Sequence, residues 1–163
     1  MLKRGFTLIE IIVVITIVGI LATSLIVLVN PVTQFQKAQD VQRKSDLRQV
    51  QRALEAYYAD HGSYPGYDPS TYRIVDVSPL DWGVSTWGAY LDLMPKDPSS
   101  TKKYIYYAQD SQTYMLYASL DRPGDPAMCK SGNACDNVPS NVYCGSTSAK
   151  ICNYGVSSPN ASP

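Results

Sequence analysis

An excess of charge of either sign is missing from this chain. Lys and Arg together number 14, Asp and Glu 14, and the formal net charge is zero. Polyanion-binding proteins carry a basic surplus gathered on one face, so this balance gives no support to a nucleic-acid role. Histidine is nearly absent: His61 stands alone, without Ser, Cys or carboxylate partners at the spacing of a catalytic motif. No glycine-rich phosphate-binding loop occurs. Cysteine is missing until Cys129, after which Cys135, Cys144 and Cys152 follow. Their spacings match no Cys-x-x-Cys zinc or redox motif. The sequence therefore reads as non-enzymatic.

What is present begins with an apolar run over residues 6–29, preceded by Lys3, Arg4 and Gly5. A bilayer needs roughly 20 residues of helix, so the run is long enough to span. It holds one charge, Glu10. A carboxylate at the centre of such a run costs on the order of 2.5–3.5 kcal/mol on insertion scales, and less near an edge. A cleaved secretory signal fits poorly, because cutting at Ala22-Thr23-Ser24 would leave an apolar stretch exposed on the mature chain. A plain anchor with Glu10 in the first turns, where the helix dipole favours negative charge, is the simpler account. Lys3 and Arg4 predict a cytoplasmic N-terminus, which puts the cysteines on the disulfide-permissive side.

Beyond Asn30-Pro31 an amphipathic helix resumes. Phe35, Ala38, Val41, Leu47, Val50, Leu54, Tyr57 and Tyr58 recur three and four apart, while Lys37, Asp40, Arg43, Lys44, Asp46, Arg48, Arg52 and Glu55 are assigned to the other faces. The pattern predicts one helix over about 6–60, bent or loosened at Pro31, and ended by Gly62 and Pro65. Residues 66–103 are rich in Gly and Pro and read as a long connection, with a short strand over 73–77 and a helical turn over 87–93. Strands are predicted over 104–109 and 113–120, joined by a turn at Asp110-Ser111-Gln112. One face carries Ile105 and Tyr107, the other Tyr104, Tyr106 and Ala108. One of these faces is expected to pack on Val50, Leu54 and Tyr57. A last strand is expected within 151–156. The tyrosines read as core or rim packing before any binding surface. Four cysteines allow three connectivities. The favoured one joins sequence neighbours, Cys129–Cys135 and Cys144–Cys152, each loop contributing about 2–4 kcal/mol.

The opening residues Met1-Leu2-Lys3-Arg4-Gly5-Phe6-Thr7-Leu8-Ile9-Glu10 resemble the leader and cleavage site of type IV pilins and type II secretion pseudopilins. Gly62-Ser63-Tyr64-Pro65 and Leu93-Met94-Pro95-Lys96-Asp97-Pro98 continue the likeness. The resemblance implies an α+β, type IV pilin-like fold, with a long N-terminal α-helix packed against a small antiparallel β-sheet head. It divides the chain into a leader (1–5), a long helix (6–61, with a membrane or filament-core half 6–29 and an amphipathic half 32–61) and a head (62–163) whose end is cysteine-rich. It also implies that a membrane prepilin peptidase cuts between Gly5 and Phe6 and N-methylates Phe6. Glu10 then pairs with the cationic amine of Phe6 on a neighbouring subunit and sets the stagger of assembly. Major pseudopilins bind calcium in a loop near the place of Asp121 and Asp125, which makes these two the calcium candidates. Two aspartates in a Gly/Pro loop are also ordinary turn chemistry, and the reading preferred from the sequence is that no metal or cofactor is bound.

The function so implied is a structural subunit of a type IV pilus-like surface filament. The alternatives are a major pseudopilin of a type II secretion system and a tip-located minor pilin acting as adhesin or ligand-binding module. The expected partners are identical or homologous pilin subunits, the prepilin peptidase, an inner-membrane assembly platform with a separate ATPase, and the inner membrane itself before assembly. The precursor would be a single-pass inner-membrane protein, and the product an extracellular or periplasmic filament.

Overall fold

The computed structural model describes residues 5–163, the side chains of residues 24–29 excepted. The first four leader residues lie outside that range. The chain forms two compact units, one ending at Gln36 and one spanning Lys37–Pro163.

In the first unit, helix α1 (Leu8–Val29) is capped by Thr7 and ends at Asn30, whose backbone is left-handed at φ 42° and ψ 80°. Helix α2 (Pro31–His61) starts on the next residue. The single helix expected over 6–60 is thus two helices, separated by a break rather than a bend. Proline has no N–H to give to the preceding turn and forces the residue before it away from helical backbone. Asparagine tolerates the left-handed conformation better than most side chains, and proline is well suited to a first helical position. The Asn30 carbonyl accepts from Thr33 N at 3.1 Å and Gln34 N at 3.4 Å, so the backbone remains hydrogen-bonded across the break.

α1 exposes apolar side chains around its whole circumference, among them Leu8, Ile11, Val14, Ile17 and Leu21. A helix apolar all round belongs inside a larger assembly or a bilayer. Among the described residues no helix is long and apolar enough to cross a membrane. The apolar run of the sequence continues through positions 24–29, whose side chains lie outside those described. Thr16 and Thr23 donate their hydroxyls to the carbonyls of Val13 and Ile20 at 2.8 Å, which hides their polarity within the helix.

In the second unit the core forms on both faces of a small antiparallel sheet. Strands β3 (Ile105–Asp110), β4 (Thr113–Ala118) and β5 (Tyr154–Ser157) lie in the order β3-β4-β5. Tyr106 pairs with Leu116, and Tyr117 with Gly155. Alternation along the strands sorts the side chains as their sequence implies. Tyr104, Tyr106, Ala108, Tyr114 and Leu116 pack with Leu47, Val50, Ala53 and Leu54 of α2. Ile105, Met115 and Tyr117 point the other way, into a second cluster with Cys135, Cys144 and Cys152. Disulfides join Cys129 to Cys135 and Cys144 to Cys152, so the cysteine-rich end covers the outer face of the sheet. Gly155 makes this layering possible: a Cβ there would stand 2.9 Å from the Tyr117 ring and 2.6 Å from Pro163.

The connection between α2 and the main sheet differs in part from expectation. A two-stranded ribbon pairs β1 (Gly66–Tyr67), which was not expected, with β2 (Ile74–Val75), which falls within the short strand expected over 73–77. The helical turn expected over 87–93 is instead a tight turn closed by a bridge between Trp87 and Leu91. The last strand begins at Tyr154, not near Ile151. Gly62 takes φ 70° and donates to Tyr58 O at 2.8 Å, a left-handed stop for α2.

Leu54→Ala opens a cavity beneath the sheet, whereas Leu93 is 52% exposed. Denaturant unfolding is expected to show Leu54→Ala less stable by about 2–5 kcal/mol, with Leu93→Ala within about 0.5 kcal/mol of wild type.

Candidate functional site: the N-terminal assembly motif and the charged hub of the head

Gly5, Phe6 and Thr7 are exposed and non-helical, immediately ahead of α1. Phe6 is 79% exposed. The peptide bond between Gly5 and Phe6 is therefore in a segment that a protease can take up in extended form. Thr7 and Glu10 form a reciprocal capping box. Glu10 N donates to Thr7 Oγ1 at 3.3 Å, and Thr7 N donates to Glu10 Oε2 at 3.5 Å. Such a box satisfies two helix-end donors without neutralising the carboxylate. Glu10 has no cationic partner among the described residues, so its negative charge stays available.

The head is organised around a different group, which sequence reasoning assigned to a solvated helix face. Arg43 is completely buried in α2, with Asp40 and Asp46 buried beside it. Arg43 donates Nε to Asp97 Oδ2 at 2.9 Å and Nη2 to Asp97 Oδ1 at 3.1 Å, a bidentate fork. Its Nη1 reaches Asp40 Oδ1 and Asp121 Oδ2, both at 2.8 Å. Asp97 comes from the Leu-Met-Pro-Lys-Asp-Pro element and also accepts from Ser99 N at 2.8 Å. Asp40 accepts from the backbone N–H groups of Asp121 and Arg122 at 2.9 and 2.8 Å. Two separated segments, around Asp97 and around Asp121, are thereby fixed to one helix turn. Tyr104 adds a third tie, donating its hydroxyl to Asp46 at 2.6 Å.

Burial alone disfavours the charge on Arg43, but Asp97 and Asp121 outweigh it and raise its pKa, so the guanidinium is firmly charged. Burial also pushes the Asp121 carboxyl up, yet Lys102 and Arg43 bring its pKa below the ordinary carboxylate value. Asp125 follows the same logic: burial opposes its charge, while Lys44 and the Ala127 N–H lower its pKa. Asp46 is the exception. Burial raises it, and the hydrogen bonds from Tyr104 and Gln42 only partly offset that.

The expected calcium candidates Asp121 and Asp125 thus lie in this hub. Lys102 Nζ meets Asp121 Oδ1 at 2.6 Å, and Lys44 Nζ meets Asp125 Oδ1 at 2.6 Å. Among the described residues no group of His, Cys, Asp or Glu is arranged to hold a metal ion. His61 hydrogen-bonds Tyr57 O at 3.0 Å and stacks on the Tyr57 ring at the end of α2. The tyrosines are largely structural: Tyr64 and Tyr114 both donate to Glu55, at 3.0 and 2.9 Å. The signal for the hub was present in the sequence as Asp40 and Arg43 three apart and Asp97 between two prolines, but only the fold brings them together.

Residues 1–26 match the prokaryotic N-terminal methylation motif. Residues 30–126, more than half of the chain, match the family described as type II secretion system protein G. The chain belongs to the type II secretion protein G family. Curated relatives named type II secretion system core protein G include one from Klebsiella pneumoniae, 34% identical over 98 residues, covering 59% of this chain and 69% of the relative. The protein of that name from Escherichia coli K12 is 33% identical, covering 59% and 66%. That from Vibrio cholerae is also 33% identical, covering 59% and 65%. The chain thus spans about two thirds of the length of these relatives. No solved structure matches it. The pilin-like fold and the prepilin motif read from the sequence both agree with this family. The family match contains Arg43, Asp97, Asp121 and Asp125 and stops before the cysteine-rich end.

Arg43→Met leaves Asp40 and Asp97 buried without their cation and is expected to cost about 3–5 kcal/mol in urea unfolding. Asp121 and Asp125 have lower pKa values folded than unfolded. Their stabilisation is therefore complete above the unfolded value of about 3.9 and is lost as pH falls through the folded values. Asp121→Asn is expected to flatten this acid limb in pH-dependent melting.

Proposed function

We propose that this chain is the repeating structural subunit of a type II secretion pseudopilus. The observation that carries this reading is the protein G match over 30–126, joined to an N-terminal methylation motif over 1–26. In this reading the precursor sits in the inner membrane through the apolar run, with Lys3 and Arg4 cytoplasmic. Prepilin peptidase cuts between Gly5 and Phe6 and methylates the new amine of Phe6. Copies then leave the membrane and polymerise through α1 on an inner-membrane assembly platform driven by a separate ATPase, forming a periplasmic filament.

The charge arithmetic supports the assembly step. Cleavage creates a cation at Phe6, and among the described residues of its own subunit the Glu10 carboxylate accepts only from the neutral Thr7 N–H. A neighbouring amine is the natural counter-charge in an apolar environment, where an unpaired carboxylate is costly. The pair fixes how far one subunit is displaced along the next. A surface pilus uses the same steps and is the second reading, favoured by the disulfide-bonded end. The protein G relatives favour secretion.

Deleting the gene is expected to abolish export of type II substrates while leaving surface pili and twitching intact. Loss of pili with normal secretion would reverse the order of the two readings. Mass spectrometry of the mature protein is expected to find N-methylated Phe6 at its start. Glu10→Ala is expected to be cut normally yet to give no filaments by negative-stain microscopy. Normal filaments from that variant would remove Glu10 from assembly. Antibody label confined to filament tips would favour a minor, ligand-binding subunit over a repeating one.

A further inference from the structure

The loop over 119–125 is where the family resemblance places a calcium ion, and the residues present do not fit one. Calcium takes six to eight oxygen ligands that are free to turn toward it. Here both oxygens of each candidate carboxylate are engaged by donors of the chain. Asp121 Oδ1 accepts from Lys102 Nζ at 2.6 Å and Oδ2 from Arg43 Nη1 at 2.8 Å. Asp125 Oδ1 accepts from Lys44 Nζ at 2.6 Å and Ala127 N at 2.9 Å, and Oδ2 from Arg122 Nη2 at 3.1 Å. The loop carbonyls are engaged too. Ser119 O accepts from Lys102 Nζ at 2.8 Å and Leu120 O from Asn153 Nδ2 at 3.2 Å. Arg122 O and Asp125 O accept from the N–H groups of Asp125 and Met128 at 3.4 and 3.0 Å.

We propose that the ammonium groups of Lys102 and Lys44 do in this head the work of a divalent cation, so that the loop is held and the head is stable without calcium. The Lys102 side chain is 2% exposed, with its ammonium among a carbonyl and a carboxylate oxygen, the setting a metal ion would otherwise occupy. Lys44 holds the second carboxylate from α2. Together the two ammonium groups deliver two positive charges, as a divalent ion does. Arg43, Lys44, Lys102 and Arg122 face Asp40, Asp97, Asp121 and Asp125 in ion pairs, and Asp46 beside them is held by the Tyr104 hydroxyl and the Gln42 amide. A calcium ion would have to expel a buried, hydrogen-bonded cation from this cluster, which a low-dielectric site resists. The loop also has a covalently supported neighbour. Asn153, which clasps Leu120 through both its N–H and its carbonyl, follows the disulfide-bonded Cys152.

The test uses the full chain purified in detergent. Thermal unfolding is followed in excess CaCl2 and in excess EGTA, and CaCl2 is titrated into the EGTA-treated, dialysed protein by calorimetry. Coincident melting curves and no saturable heat are expected. A melting temperature that rises with calcium, or a saturable binding heat, overturns the proposal. Lys44→Met and Lys102→Met are each expected to lower the melting temperature equally in both buffers, with Lys44→Arg restoring it. If Lys44→Met melts as wild type does, the holding role is refuted. Should Lys102→Met fail to fold, the half-buried Lys44 position and the wild-type calcium titration still decide the outcome.

Discussion

Arg43 is the group on which the arrangement of the head depends. It is a permanent charge with no exposure to water, and such a charge is tolerable only if hydrogen-bonded counter-ions surround it. Asp40, Asp97 and Asp121 supply them from its own helix, from the Pro-Lys-Asp-Pro element and from the loop after β4. None of these segments can move away without stranding a buried charge. Apolar packing against Leu47, Val50 and Leu54 holds the sheet to α2 but is tolerant of small slips, because the hydrophobic effect has no direction. The guanidinium fork is not tolerant in that way. It fixes the loops in position, and the apolar core supplies most of the driving force.

The sheet is short and covered on both faces, which explains why so small a head needs its cysteine-rich end. The three strands β3, β4 and β5 would present Ile105, Met115 and Tyr117 to water if only α2 covered them. The final segment lies over that face and is closed by two short disulfide loops. It lies beyond residue 126, where the family match ends, and it buries an outer face that the sheet makes apolar.

How much of this was legible in the sequence follows from the range of each interaction. The alternation of β3 and β4 sorted Tyr104, Tyr106 and Ala108 from Ile105 before any coordinates, because period-two faces are local. The stop at Gly62 was legible for the same reason. The break at Asn30 was half legible: Pro31 marked the place, but whether a helix bends or stops depends on the residue before the proline and its left-handed backbone. Of the ribbon, β2 fell within the short strand read over 73–77, whereas β1 was missed, since a two-residue strand leaves no periodic trace. Arg43, Asp40 and Asp46 were placed among solvated residues because a charge pattern says nothing about its partners. Those partners stand up to 82 positions away in sequence, and only the tertiary fold reveals them.

The chain contains two costly carboxylate problems and resolves them in opposite ways. In the hub Asp40, Asp97, Asp121 and Asp125 are each answered by a cation of the same head, and Asp46 by the Tyr104 hydroxyl and the Gln42 amide. Among the described residues the Glu10 carboxylate accepts only from the Thr7 backbone N–H, which orients it and brings it no cation. A subunit that completed its own electrostatics at Glu10, for instance through a lysine one helical turn away, would gain stability as a single chain and lose its reason to align with a neighbour. The capping box avoids this. It holds the side chain at the start of α1, where the helix dipole also favours a negative group, and brings it no cation. In the proposed assembly, cleavage after Gly5 would supply the amine that answers this charge, which would link processing to assembly.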